Sequence, residues 1–268
     1  MSNQQAILTC LIGDPVSHSI SDVMFKYLAD LAGIEYYNHI KLRVRLDNPK
    51  NLETAINALR VLEISGANIT LPYKLDVIKY LDQLDPMAAS IGAVNTVVNN
   101  NATLTGYNTD SSGSFHAIER YLKNVNQNDK VIIFGTGGAA RAITYLLATK
   151  TKDIVFLDRT ISGEKAEEFK KYILALGISP TFLELNDLNI ERFVGASDII
   201  INATSVGMAP DNGRSLISKQ QFNNIAKISS IKDKYFFDAV LNPPLTEMLT
   251  TAQEYGASVC SGIHTSYN

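Results

Sequence analysis

The 268-residue chain lacks the signatures of a disulfide-stabilised, metal-binding or membrane-spanning protein. Its two cysteines, Cys10 and Cys260, lie far apart, and no cysteine or histidine pair has zinc-ligand spacing, which argues against a disulfide framework and a structural metal. No run of about 18 apolar residues occurs, and the first residues lack a basic segment followed by an apolar one, so we expect neither a membrane span nor a signal peptide. These absences predict a soluble, cytoplasmic protein.

Excess positive charge, internal repeats and low-complexity segments are also missing. The formal net charge is -3 and the basic residues are scattered, so the chain offers no electrostatic footprint for nucleic acid. One basic cluster, residues 41–45, alternates with apolar positions and predicts the solvent-facing side of a strand. A hydrophobic content of 46% with 19% charged residues is typical of a globular protein.

Short apolar runs alternate with helical patterns along most of the chain, which predicts the α/β class with parallel strands joined by crossover helices. The length favours two domains, and a boundary near residues 109–114 gives 1–109 and 110–268, each with its own sheet. The asparagines at 99–101 predict a hairpin turn, because asparagine tolerates left-handed backbone angles. The predicted strands are 6–12, 36–42, 67–69, 93–98, 131–134, 154–157, 180–183, 198–201 and 235–238.

A glycine-rich turn between an apolar run and a helical pattern predicts a dinucleotide-binding unit. The first glycine permits the tight turn, the second lets the backbone approach a pyrophosphate, and a small residue further on lets helix and strand pack closely. The next apolar run ends about twenty residues later in Asp158, at the position where such units read the ribose. The turn consists of Gly135, Thr136, Gly137, Gly138, Ala139 and Ala140.

Four polar clusters in the first half follow or flank predicted strands, where open α/β sheets bind ligands. They occupy residues 17–21, 68–74, 92–96 and 108–110. Their hydroxyls, amides, one ammonium and one carboxylate suit a small polyhydroxylated acid. Each cluster also has a structural alternative: Ser21 or Asp22 can cap the helix that follows, and Asp110 can cap another. Lys74 can be a solvated charge at the start of a helix, and Asn95 can occupy a turn.

Together, these clusters and the glycine-rich turn resemble the shikimate dehydrogenase family over nearly the whole chain. The matching motifs are His18 to Ser21, Asn68 to Lys74, Gly92 to Thr96, Asn108 to Asp110, Gly135 to Ala139, Asn202 to Met208 and Asp238 to Pro243. The resemblance implies an N-terminal α/β substrate domain followed by a Rossmann-type dinucleotide domain. It also implies NAD(P)-dependent interconversion of shikimate and 3-dehydroshikimate in the route to chorismate and the aromatic amino acids.

The resemblance also implies roles for individual residues. Lys74 and Asp110 are the expected catalytic pair, in which the ammonium exchanges a proton with the substrate oxygen and the carboxylate keeps the ammonium in position. The expected substrate ligands are Ser19 and Ser21 for the carboxylate, with Thr70 and Asn95 for the ring hydroxyls. The expected cofactor ligands are Gly135, Thr136, Gly137, Gly138, Ala139, Asp158, Arg159, Thr160, Thr204 and Gly262.

Cofactor choice depends on the triplet Asp158-Arg159-Thr160, where NADP-binding family members usually carry Asn-Arg-Thr. A carboxylate at this position accepts hydrogen bonds from the ribose hydroxyls of NAD and repels a 2′-phosphate, whereas arginine and threonine favour that phosphate. We favour NADP and leave NAD open.

The chain departs from the family pattern at three places. Leu241 replaces a substrate-contacting tyrosine, and Asp22 stands where a proline usually follows the loop serine. The family's final Gly-x-x-Met-x-x-x-Gln reads Gly-Ile-His-Thr-Ser-Tyr-Asn at 262–268, so we expect a shortened C-terminus without the substrate-binding glutamine. These departures leave two alternatives open, a quinate or aminoshikimate dehydrogenase and a catalytically weak cofactor-binding paralogue, and they suggest a homodimer that covers exposed apolar surface.

Overall fold

The computed structural model describes residues 6–179 and 181–267. The chain forms two compact units, Met1–Thr109 and Asp110–Asn268. Among the described residues, no helix has the length and apolar character that crossing a bilayer requires. The same residues contain no group of three or more His, Cys, Asp or Glu side chains arranged to hold a metal ion.

The first unit is a mixed sheet with helices, in the strand order β2-β1-β3-β5-β6-β4. Strands β1, β2 and β3 are parallel to one another, whereas β5 is antiparallel to both β3 and β6. The elements are β1 (Ile7–Gly13), α1 (Ser21–Leu31), β2 (Tyr37–Arg43), α2 (Lys50–Val61), β3 (Gly66–Ile69), a 3-10 helix (Asp76–Tyr80), β4 (Gln83–Leu84), α3 (Pro86–Ile91), β5 (Thr96–Asn100) and β6 (Thr103–Tyr107).

The β5–β6 hairpin confirms the turn predicted from the three asparagines. Asn101 and Ala102 connect the strands with φ of 50° and 67°, the left-handed angles that a two-residue hairpin turn requires. The predicted strand 93–98 begins later than expected, at Thr96. Upstream of it, the backbone N–H of Val94 donates to the carbonyl of Lys74, so this stretch belongs to a loop contact rather than to the ladder.

The second unit is a parallel sheet in the order β12-β11-β10-β7-β8-β9. The predicted strands 131–134 and 235–238 match the structure; Pro180, the predicted start of another, lies outside the described residues, and that strand is seen from Thr181. The elements are α4 (Asp110–Tyr121), β7 (Val131–Phe134), α5 (Gly138–Leu147), β8 (Ile154–Asp158), α6 (Glu164–Ala175), β9 (Thr181–Glu184), α7 (Asp187–Ala196), β10 (Ile199–Asn202), α8 (Lys219–Ala226), β11 (Tyr235–Asp238), α9 (Glu247–Glu254), β12 (Ser258–Ser261) and a 3-10 helix (Gly262–Tyr267).

Both faces of the second sheet are buried. On β7, Ile133 packs into one apolar cluster with Phe156 of β8, and its neighbours Ile132 and Phe134 pack into a second cluster on the opposite face. Successive strand residues point to opposite faces, so a run of four buried apolar residues requires cover on both sides. This explains why the strands of the second unit read as continuous apolar runs.

The first sheet buries an apolar face against α2. Cys10 and Ile12 of β1 pack there with Leu52, Ile56 and Leu59. On the other face, towards α1, the β1 residue Thr9 lies opposite the buried His39 of β2 in the strand register. The first unit therefore has an apolar layer on one side of its sheet, whereas the side towards α1 includes buried polar side chains.

Candidate active site

Four polar loops lie at the same end of the first sheet, because strands β1, β3 and β6 all finish there and the antiparallel β5 begins there. Thr70 directly follows β3, and its N–H donates to the carbonyl of Ile12 on β1 at 2.9 Å. The contact is close: a Cβ on Gly13 would lie 2.3 Å from Cγ2 of Thr70, so only glycine fits at the end of β1.

The buried amide of Asn95 hydrogen-bonds Thr109 in the loop that follows β6. Its Nδ2 donates to the hydroxyl of Thr109 at 2.9 Å, and its Oδ1 accepts from the Thr109 N–H at 2.9 Å. This contact fixes the orientation of the amide that the sequence assigns to a ring hydroxyl. Asp110 follows Thr109 in the chain and is the first residue of α4.

The half-buried Lys74 occupies a turn between β3 and the first 3-10 helix. Its carbonyl accepts the N–H of Val94 at 2.8 Å, which fixes its backbone to the loop that carries Asn95. The preceding residue, Tyr73, is buried and donates its hydroxyl to the carbonyl of Val44 at 2.7 Å. Both neighbours immobilise the backbone from which the Lys74 ammonium extends.

The serine loop between β1 and α1 is organised by a cation that sequence reasoning placed wrongly. Nζ of Lys41 donates to the carbonyl of Ser19 at 2.9 Å and lies 3.1 Å from Oδ2 of Asp22. The side chain of Lys41 is only 25% exposed, whereas that of Arg43 is 61% exposed. The prediction of a solvent-facing strand side is therefore wrong for Lys41, because the loop after β1 folds over it.

Ser21 of this loop does not have the helix-capping role that its sequence position allows. Ser21 is not the N-cap of α1, since Ile20 occupies that position and makes no capping side-chain bond. Oγ of Ser21 instead lies 3.2 Å from Nε2 of the buried His39. The N–H of Ser21 donates to Oγ of Ser19 at 3.2 Å, which brings the two predicted carboxylate ligands together.

In the second unit, the glycine-rich turn has the conformation that its sequence predicts. Gly135 is buried with φ of +98°, and its N–H donates to the carbonyl of Leu157 on β8 at 2.8 Å. Gly137 is the N-cap of α5 and provides no side-chain cap, and a Cβ there would meet nothing within 4 Å. The open space beside the first N–H groups of α5 fits a pyrophosphate.

Asp158, at the end of β8, is linked to this turn. Its Oδ2 accepts from the Thr136 hydroxyl at 2.9 Å, and its Oδ1 accepts from the Thr160 N–H at 3.0 Å. Arg159 and Thr160 are exposed. The structure thus brings together the glycine-rich turn and the triplet expected to read the adenosine ribose.

The loop after β10 is held by Asn202, whose Oδ1 accepts from both the N–H and the hydroxyl of Thr204, at 2.9 and 2.7 Å. Thr204 lies beside the glycine-rich turn, since a Cβ on Gly135 would approach its Cγ2 to 2.9 Å. Gly262 follows β12 and packs against the chain after β11, where a Cβ would lie 2.7 Å from the carbonyl oxygens of Ala239 and Val240. In the same stretch Leu241 is 40% exposed.

The fully buried Asp238, at the end of β11, connects these loops. Its Oδ1 accepts from Nδ2 of Asn202 at 3.0 Å and from the Val240 N–H at 2.9 Å. Its Oδ2 accepts from the hydroxyl of Thr246, the N-cap of α9, at 2.7 Å. Burial raises the pKa of Asp238 to about 6, against the opposing effect of these three donors.

This pKa gives stability a defined pH dependence. Because the folded state binds the Asp238 proton more tightly than the unfolded state, whose pKa is near the ordinary 3.8, the folded state loses relative stability as pH rises through that window. The difference between the folded and unfolded pKa of Asp238 is worth about 3 kcal/mol. We expect the free energy of unfolding to fall between about pH 4 and pH 6 on account of this group.

Urea unfolding at several pH values measures the effect. The Asp238→Asn variant should be less stable, since its amide replaces one of the two acceptor oxygens with a donor, which then faces either the Asn202 and Val240 donors or the Thr246 hydroxyl, but it should lose this part of the pH slope. Asp233→Asn, an exposed change just before the same strand, is the matched control and should keep the slope. Equal slopes in Asp238→Asn and wild type would contradict the assignment.

Comparison with known proteins places the chain among enzymes of one family. A model of the shikimate dehydrogenase substrate binding domain matches residues 11–97. The shikimate dehydrogenase (NADP(+)) of Pyrococcus furiosus is 38% identical over 263 residues, which cover 98% of this chain and 87% of that protein.

Two solved structures extend the likeness to the fold. A shikimate dehydrogenase in complex with NADP+ is 32% identical with a TM-score of 0.81, over 99% of this chain and 87% of that one. Shikimate 5-dehydrogenase from Listeria monocytogenes, in complex with shikimate and NAD, is 29% identical with a TM-score of 0.77, over 97% and 87%. The chain therefore belongs to the shikimate dehydrogenase family.

Proposed function

We propose that this protein catalyses the reversible NADP-dependent oxidation of shikimate to 3-dehydroshikimate. The observation that carries the proposal is the convergence of Ser19, Ser21, Thr70, Asn95 and Lys74 in loops at one edge of the first sheet. The family relationship and the relatives' shikimate and NADP complexes support it.

The first unit, residues 1–109, supplies the substrate-binding groups in this proposal. The hydroxyls of Ser19 and Ser21 donate to the substrate carboxylate, and Thr70 and Asn95 bind ring hydroxyls. In the reduction direction, the Lys74 ammonium donates a proton to the ketone oxygen, and in the oxidation direction Lys74 takes that proton back. The Asp110 carboxylate, the second member of the expected catalytic pair, accepts a hydrogen bond from a substrate hydroxyl.

The second unit, residues 110–268, is proposed to bind the cofactor. The backbone of Gly135 to Ala139 fits the pyrophosphate, because Gly137 leaves space and no side chain caps α5. Arg159 and Thr160 suit the 2′-phosphate, while Thr204 and Gly262 line the nicotinamide end. NADP, when bound, supplies the carbon that accepts or returns the hydride.

Absorbance of the reduced nicotinamide tests the proposal in four mixtures, shikimate or quinate with NADP or NAD. We expect turnover with shikimate and NADP to exceed that of the other three. Faster turnover with quinate would favour the quinate dehydrogenase alternative. No absorbance change in any of the four mixtures, despite saturable cofactor binding, would favour the catalytically weak paralogue. A cytoplasmic location, a homodimer and the absence of nucleic-acid binding stay predictions of the sequence.

Asp158 supplies a sharper prediction about the cofactor. Its carboxylate lies between Thr136 and Thr160, close to the position proposed for the 2′-phosphate, so its negative charge disfavours NADP relative to NAD. Two like charges about 5 Å apart near a protein surface repel by about 1 to 3 kcal/mol. We expect Asp158→Asn to raise the NADP-to-NAD ratio of kcat/KM by about tenfold.

The control for this variant makes the same charge change next to the other end of β8. Asp153→Asn lies just before the start of β8, at the opposite edge of the sheet, and should leave the ratio unchanged. Steady-state kinetics with both cofactors measure the ratio, and Asp158→Asn with a wild-type ratio would remove Asp158 from the ribose site.

A further inference from the structure

The space between α1 and the first sheet contains a polar layer that the proposed mechanism does not use. Because Cys10 and Ile12 face the apolar core, Thr9 faces α1, and the strand register places it opposite His39. The only buried residues of α1 are Ser21 and Ala29. Helix α1 therefore contributes a buried polar residue, Ser21, to this side of the sheet beside the buried Ala29.

Three hydrogen bonds form one continuous hydrogen-bond chain through this layer. The hydroxyl oxygens of Tyr37 and Thr9 lie 2.6 Å apart. Oγ1 of Thr9 lies 2.8 Å from Nδ1 of His39, and Nε2 of His39 lies 3.2 Å from Oγ of Ser21. The chain thus runs from the edge strand β2 to a serine proposed to bind the substrate carboxylate.

A neutral His39 allows two directions for this hydrogen-bond chain, because the imidazole has one N–H and each hydroxyl has one proton to donate. In the first direction, Nε2–H of His39 donates to Ser21, Thr9 donates to Nδ1, and Thr9 accepts from Tyr37. In the second direction, Nδ1–H of His39 donates to Thr9, and Ser21 donates to Nε2. A phenol is the stronger donor and the weaker acceptor of the two hydroxyls, so Tyr37 donates to Thr9 and leaves the Thr9 proton for Nδ1, which favours the first direction.

The two directions have opposite consequences for a bound carboxylate. In the first, Ser21 accepts from His39 and keeps its own proton for a ligand, so it can donate to a carboxylate. In the second, the Ser21 proton is already used, and only lone pairs face the ligand, which repel a carboxylate. Hydrogen bonds in a chain of one direction also strengthen one another.

The surroundings of His39 keep its ring fixed and neutral. The ring of Phe25 stacks on it with 4.6 Å between centroids and 19° between planes. Burial lowers the pKa of His39, the Asp22 carboxylate acts in the opposite direction, and Lys41 lowers it further. A neutral ring bound on both nitrogens has the donor and acceptor that the chain needs.

We propose that His39 is a positioning residue that donates from Nε2 to Ser21 and so reserves the Ser21 hydroxyl proton for the substrate carboxylate. This inference rests on the proposed function, since it assigns the carboxylate to Ser21. It makes the Thr9, Tyr37 and His39 cluster part of substrate recognition rather than of folding alone.

Substitutions at His39 test the proposal through the split between KM and kcat. His39→Leu removes the donor and should raise KM for shikimate about tenfold, with kcat and KM for NADP within about twofold of wild type. In His39→Gln the amide Nε2 takes the place of the imidazole Nε2–H, so KM should return to within about threefold of wild type. Asn38→Ala, an exposed neighbour on β2, is the control and should keep the wild-type KM.

A double variant shows whether His39 acts through Ser21. If it does, the double variant His39→Leu, Ser21→Ala should have the same KM as Ser21→Ala alone. The Ser21→Ala change already removes the hydroxyl that His39 positions, so losing His39 as well should have no further effect. Additive effects, or His39→Gln as poor as His39→Leu, would overturn the proposal.

The imidazole tautomer gives a readout that needs no catalysis. Nitrogen-15 NMR of the folded protein should show the His39 proton on Nε2, and Tyr37→Phe should weaken that preference. A proton on Nδ1 would overturn the proposal even if shikimate is turned over. Failure of the proposed function has another signature: wild-type protein inactive with shikimate while the proton still lies on Nε2, which would overturn the carboxylate assignment.

Discussion

Lys74→Ala is expected to lower kcat for shikimate oxidation by about 10²- to 10⁴-fold, the usual contribution of a positioned acid or base. The variant removes the proton carrier but leaves the backbone in place, because the contact with Val94 uses the Lys74 carbonyl and not the side chain. KM for shikimate should change far less than kcat. Steady-state kinetics with saturating NADP measure both.

Lys79→Ala is the matched control, since Lys79 is exposed on the adjoining 3-10 helix and its ammonium lies over the ring of Tyr80. It should retain wild-type kcat. Urea unfolding of both variants should give free energies close to that of wild type, so that lost turnover cannot be attributed to lost structure. An active Lys74→Ala enzyme would remove Lys74 from the proposed mechanism.

Much of this fold was accessible from sequence because its signals are local. The apolar run 131–134 predicts a strand, and the structure packs the residues of that strand into two clusters. The glycine-rich turn needs a positive φ at Gly135, which only glycine adopts readily, so the residue type reveals the backbone conformation. Asparagines at 99–101 reveal the hairpin by the same reasoning.

The polar layer under α1 was not accessible, because its meaning depends on strand register. His39 and Thr9 are 30 residues apart, and nothing in either segment indicates that they lie side by side. Lys41 belongs to a run that alternates like a solvent-facing strand, yet a loop from another part of the chain covers it. Pattern analysis gives the face of a strand but not what covers that face.

The departure at Asp22 has a physical account once this layer is known. A proline after the second loop serine would stiffen the backbone, whereas Asp22 binds the ammonium of Lys41, which also binds the Ser19 carbonyl. The ammonium of Lys41 on β2 therefore holds the loop in place, where a proline ring would restrict the loop backbone itself. The substitution is visible in the sequence but its partner is not, because Lys41 is distant in the chain.

Alanine substitutions at two glycines of the cofactor turn should have different effects, one on protein stability and the other on cofactor binding. At Gly135, with φ of +98°, an alanine Cβ would be strained and would lie 2.9 Å from Cγ2 of Thr204 and 3.2 Å from the Ala203 carbonyl. Backbone strain and steric overlap together should destabilise the protein by about 2 to 5 kcal/mol. We expect Gly135→Ala to show a clearly lower urea midpoint, with any loss of NADP binding following from the loss of folded protein.

Gly137→Ala is the converse variant, because φ of -75° suits any residue and its Cβ meets nothing within 4 Å. Its unfolding free energy should stay within about 1 kcal/mol of wild type, or rise slightly as the unfolded chain loses freedom. The added methyl group nevertheless occupies the space through which the backbone approaches the pyrophosphate, so Kd for NADPH should rise about tenfold or more. NADPH fluorescence measures that binding, and tryptophan emission does not interfere because the chain has no tryptophan. Wild-type affinity in a stable Gly137→Ala protein would mean that the pyrophosphate does not approach the backbone at Gly137, which is exposed, whereas the next glycine, Gly138, is buried.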